Sequence, residues 1–82
     1  MNRDEAMSKV RDSLAAAVPG ADVETLGSDE VFRDALEMDS IDFLNFVEKL
    51  AELTGVAVAE DDYFRLTTLS SCADFLSAPA PA

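Results

Sequence analysis

Apolar residues return at helical spacing in three stretches of this chain, with less regular segments between them. At 100° per residue, Met7, Val10, Leu14 and Val18, with Ala6 and Ala17, share one face of a segment from Asn2 to Val18, and charged residues fill the other. This predicts a first amphipathic helix. Pro19-Gly20 ends it, because proline lacks an amide hydrogen and glycine tolerates positive φ. In a second stretch, Phe43, Phe46, Val47, Leu50, Leu53 and Thr54 form one broad arc, with Leu44 and Ala51 at its edge. Asp42, Asn45, Glu48, Lys49 and Glu52 take the opposite side. Asp39 suits the N-cap of this helix, Asp42 is a short relative of the capping-box Glu, and Gly55 suits its end. The third stretch places Leu69, Cys72, Ala73 and Leu76 on one face, with Phe75 beside them, in a helix capped by Thr68 and running to Ser77.

The intervening segments are read by exclusion. From Ala21 to Met38 no period is sustained, which predicts a long loop anchored by Leu26, Val31, Phe32 and Leu36, with a short helical turn near Glu30 to Leu36. Val56-Ala57-Val58 alternates as a strand would, yet no partner strand is evident, so an extended connection is expected. Asp61 to Leu66 suits a brief helix with Tyr63, Phe64 and Leu66 toward the core and Arg65 outward. The Ala78-Pro79-Ala80-Pro81-Ala82 tail should be extended and disordered. The expected fold is therefore all-α: one helical domain over residues 1–77 followed by a tail at 78–82. Met1 and the chain length are those expected of an independent protein.

Composition narrows the function. Eighty-two residues, 49% of them hydrophobic, allow a single small core. Seventeen acidic residues against six basic ones, with no His, give a formal charge of -11. Such a surface repels nucleic acid and anionic membranes and favours partners with basic patches. One Cys excludes an internal disulfide, and no stretch is long and apolar enough for a signal or membrane-spanning segment, so a cytoplasmic monomer is expected. The usual equipment of catalysis is missing: there is no His, no Gly-rich phosphate loop and no paired zinc ligands. Cys72 lies on the apolar stripe and reads as a core thiol. The clusters Ser28-Asp29-Glu30 and Glu60-Asp61-Asp62 lack the ligand order of a calcium loop and read as solvated faces.

Ser40 is the residue with chemical promise. At the first turn of the central helix it stands beside free amide hydrogens and the positive end of the helix dipole, a favourable place for a phosphate ester. Serine also serves simply as a helix-end residue. The context decides between the two. Phe32-Arg33-Asp34-Ala35-Leu36-Glu37-Met38-Asp39-Ser40-Ile41-Asp42, followed by Leu66-Thr67-Thr68-Leu69, resembles the acyl carrier protein family, whose attachment site reads Asp-Ser-Leu. The match runs without gaps from Phe32 to Leu76.

The resemblance implies a small four-helix bundle of acyl-carrier type, with a long loop between helices 1 and 2 and a short third helix. It implies a 4′-phosphopantetheine arm, drawn from coenzyme A and joined to the oxygen of Ser40 by a phosphopantetheinyl transferase that recognises Asp39. The arm's thiol would hold acyl intermediates as thioesters for acyl-loading and acyl-processing enzymes with basic docking patches. Ile41, Asp42, Leu44, Asn45, Glu48 and Glu52 would face those partners. The chain would then be a carrier and not an enzyme.

Three departures from the family pattern stand out. Glu37 occupies a place where the family commonly has Gly, so the turn before Ser40 must be one that an L-residue can adopt. Asn45 and Ala51 stand where fatty-acid carriers tend to be acidic, and Glu48 where they tend to be apolar, which suggests a dedicated biosynthetic or modifying partner. Phe43 and Phe46 add bulk to the interior, which suggests a short, polar or solvent-exposed cargo, although the same bulk equally offsets Thr54. Two alternatives remain: an aminoacyl or peptidyl carrier of nonribosomal type, against which Asp39 before the serine argues, and an acidic helical adaptor that carries nothing.

Overall fold

Asn2 starts the first helix, its side-chain oxygen accepting the Glu5 N–H at 2.8 Å. Asp4 and Glu5 follow in the first turn, where negative charge suits the helix dipole. In the computed structural model, which describes residues 1–77, this helix is α1 (Arg3–Ala17), and the Val18 N–H closes it on the Leu14 carbonyl at 2.8 Å. Four further elements follow: α2 (Phe32–Ala35), α3 (Ser40–Thr54), a 3-10 helix (Glu60–Arg65) and α4 (Leu69–Ser77). No strand occurs among the described residues. The all-α expectation holds. The expected tail at 78–82 lies outside the described residues.

The core forms where α1 packs against both α3 and α4. Ala6, Val10 and Leu14 from α1, Phe46 and Leu50 from α3, and Leu69, Cys72 and Ala73 from α4 are fully buried. Ser13 joins them, a buried polar residue that the apolar spacing does not mark. Its hydroxyl is satisfied locally, donating to the Lys9 carbonyl at 2.8 Å. Thr54 closes α3 in the same way, donating to the Leu50 carbonyl at 2.7 Å. Gly55 then takes a φ of 71°, and its N–H bonds the Ala51 carbonyl at 2.8 Å, as expected of a glycine ending a helix. Thr68 and Ser71 cap α4 reciprocally, each backbone N–H donating to the other's hydroxyl at 3.0 Å.

The long connection from α1 to α3 is tied down along its length. Val23, Leu26, Phe32 and Met38 are buried, with Leu36 packed partly against the core. Two backbone bonds fasten it to the start of α4 and the residues just before it: the Ser70 N–H donates to the Ser28 carbonyl at 2.9 Å, and the Phe32 N–H to the Thr67 carbonyl at 3.1 Å. Val31 does not serve as an anchor. It is 44% exposed, because the backbone is extended there and adjacent side chains point to opposite sides, so burying Phe32 turns Val31 out.

Phe64 is a second correction. The expected brief third helix is present, but as a 3-10 helix, in which residues three apart eclipse. Tyr63 and Leu66 therefore share the inward side and Phe64 is left 76% exposed. Tyr63 meets Phe43 edge-on, with ring centroids 5.5 Å apart. Val56 and Val58 are half-buried beside the exposed Ala57, so their alternation is real but serves a single extended connection.

Candidate functional site

The start of α3 is built by two carboxylates. Asp39, in extended backbone, accepts the Asp42 N–H at 2.8 Å, while Asp42 accepts the Asp39 N–H at 3.3 Å. Each acid thus satisfies an amide that the helix leaves without a partner. Ser40, the first helical residue, is exposed, and its Oγ accepts a hydrogen bond from Nη2 of Arg33 at 3.3 Å.

Nothing in the sequence pattern marks Arg33 as a partner of Ser40. It reaches Ser40 because Phe32, its neighbour in α2, is locked into the core, and its guanidinium lies over the Phe43 ring, 5.2 Å from the centroid. No periodicity relates residue 33 to residue 40 across a turn. The turn itself is special: Glu37 has a φ of 52°, in the left-handed region. The backbone therefore keeps a conformation that favours glycine and imposes its cost on an L-residue.

Beside Ser40 opens a mostly apolar cleft of about 510 Å³, lined by Arg33, Phe43, Leu44, Tyr63, Phe64 and neighbouring residues. Along α3, Ile41 is 69% and Leu44 47% exposed, and Asn45, Glu48 and Glu52 also face outward. Ile41, Asn45, Glu48 and Glu52 follow one another at three- and four-residue intervals, so they form a single outward stripe leading away from Ser40. Asp42 is half-buried and engaged with the Asp39 amide.

An attached phosphate ester needs an accessible hydroxyl and surroundings that tolerate an anion. Both are met here. The flanking Asp39 and Asp42 carboxylates are turned onto backbone amides, and the charged side chain hydrogen-bonded to the serine oxygen is a cation. Cys72 offers no competing thiol: it is fully buried, and burial pushes it up from 9.0 to about 12, which keeps it protonated. Two acids of the loop clusters also serve the backbone, Glu30 accepting the Gly27 N–H at 2.8 Å and Asp62 the Ala59 N–H at 3.4 Å.

Comparison with known proteins agrees with this geometry. The family model described as "Phosphopantetheine attachment site" matches residues 9–76. The acyl carrier protein of Rubrobacter xylanophilus is 26% identical over 76 residues, covering 93% of this chain and 93% of that protein. The acyl carrier protein of Streptomyces coelicolor is 32% identical over 71 residues, covering 87% of this chain and 77% of that protein. With an all-helical fold and a match that spans most of its length, the chain belongs to the acyl carrier protein family, whose prosthetic group is 4′-phosphopantetheine.

Proposed function

We propose that Ser40 bears the 4′-phosphopantetheine arm and that this protein carries acyl intermediates between enzymes of a specialised pathway without catalysing a step itself. The observation that carries the reading is the exposed Ser40 hydroxyl at the amino end of α3, bonded by a guanidinium and flanked by carboxylates that are occupied elsewhere. When bound, the group supplies a thiol that holds an acyl chain as a reactive thioester. A tether makes each meeting with a partner effectively intramolecular, which raises the effective concentration of the cargo.

The chain's own residues divide the remaining work. Asp39 holds the helix start in the form presented to a phosphopantetheinyl transferase. Ile41, Asp42, Leu44, Asn45, Glu48 and Glu52 meet the basic docking patches of acyl-loading and acyl-processing enzymes, an assignment supported by the net charge of -11 and, for all but the half-buried Asp42, by exposure on α3. No described helix is long and apolar enough to cross a membrane, and the reading places the protein in the cytoplasm as a monomer whose carrier unit is residues 1–77. Asn45 and Glu48 alter the charge pattern offered to partners, which favours a dedicated enzyme. The filled interior around Phe32, Phe43 and Phe46 favours a short or solvent-exposed cargo.

Intact mass after incubation with coenzyme A and a broad phosphopantetheinyl transferase tests the attachment. The native chain should gain one phosphopantetheinyl group and the Ser40→Ala variant none. A native chain that stays unmodified would overturn the reading. Turnover by fatty-acid synthase enzymes equal to that of their own carrier would contradict the dedicated pathway.

A further inference from the structure

We propose that Arg33 is a positioning residue for the prosthetic arm, pairing with the phosphodiester at Ser40 and holding the root of the arm against α2 beside the apolar cleft. The inference rests on Ser40 being the attachment point and goes beyond it. The ion pairs among the described residues are Arg3 with Asp74 and Lys49 with Glu52. Arg33, like Lys9, Arg11 and Arg65, is in neither, so no carboxylate holds its guanidinium.

Its side chain is instead directed by two contacts: the face of Phe43 beneath the guanidinium and the Ser40 oxygen at 3.3 Å. A neutral hydroxyl is a weak partner for a guanidinium, whereas a phosphodiester at the same oxygen offers it charge and further acceptor atoms. Asp34 also borders the cleft and is the local competitor for Arg33, but it forms no ion pair with it. Asp39 and Asp42 are held on each other's backbone amides. The platform for the guanidinium thus exists before any group is attached, and pairing requires little further ordering of the side chain.

The consequence is local direction. The arm would leave the surface from the α2 side of Ser40, next to the cleft lined by Phe43, Leu44, Tyr63 and Phe64, and would not swing freely about the helix end. Attachment would also mask the cation, so that a partner meets a more acidic surface on the modified chain than on the unmodified one.

The test uses the full chain before and after modification by coenzyme A and a broad phosphopantetheinyl transferase. Intact mass reports attachment, and NMR reports pairing through the Arg33 Nε–H resonance and the phosphorus shift. On modification the Arg33 Nε–H should move and exchange several-fold more slowly with water. The phosphorus resonance should differ between native protein and Arg33→Gln, Arg33→Lys should lie between them, and high salt should erase the difference. A modified chain whose Arg33 resonance and phosphorus shift ignore these changes would overturn the inference and leave the carrier reading intact. A chain that gains no mass would bring down both.

Discussion

Phe32 and Phe46 meet edge-on, ring centroids 5.1 Å apart at 62°, and both are fully buried. This pair joins the single turn of α2 to the middle of α3, so it holds Arg33 over the start of α3. Phe32→Ala should cost about 3 to 5 kcal/mol from the lost burial and the cavity left behind. Urea unfolding should place the variant close to the limit of stability for a domain of this size. Loss of the Arg33 to Ser40 contact in its NMR spectra should accompany the destabilisation.

Asp39→Ala should lower stability by about 1 kcal/mol, the usual effect of losing an N-cap. Because Asp39 and Asp42 bond each other's amides, their effects share a source. The double variant Asp39→Ala with Asp42→Ala should therefore lose less than the sum of the two single variants. Chemical denaturation of the three proteins checks the deficit.

Glu37→Gly should stabilise the fold. The left-handed backbone costs an L-residue about 1 to 2 kcal/mol, and glycine gives back about 0.5 to 1 kcal/mol through its freedom when unfolded. A net gain of about 0.5 to 1 kcal/mol is expected, read as a higher denaturation midpoint at unchanged slope. Glu37→Ala, which has a Cβ and no charge, should show no such gain.

Cys72 supplies a pH prediction. Its thiol is raised by burial from 9.0 to about 12, so between these values the unfolded chain loses the proton while the folded chain keeps it. The associated stability is fully present below pH 9 and is lost as pH rises toward 12. Each pH unit in that window should cost up to about 1.4 kcal/mol. Comparison with Cys72→Ala isolates this slope from the titration of Lys and Tyr. At neutral pH, Cys72 in the native chain should resist thiol reagents that label the unfolded chain at once.

Much of the fold was legible because burial in a helix leaves a periodic trace. Helical spacing marks Val10, Leu14, Phe46, Leu50, Leu69 and Cys72 as core, and all six are fully buried. The caps were equally readable, since Asp39 with Asp42, Gly55, and Thr68 act on neighbours within their own segment. Hydrophobicity alone points Phe64 and Val31 inward, whereas the geometry of each segment, 3-10 in one and extended in the other, turns them outward.

The site divides along the same line. Ser40, its exposure and the reciprocal capping around it follow from residues close in sequence, because a helix end is satisfied by its own first turn. Arg33 over Phe43, the cleft lined by Phe64 and the left-handed Glu37 arise only once Phe32 is drawn into the core and the loop is pinned to Thr67 and Ser70. Local chemistry chose the hydroxyl. Packing between segments distant along the chain brought the cation to it, and no period in the letters records a contact of that kind.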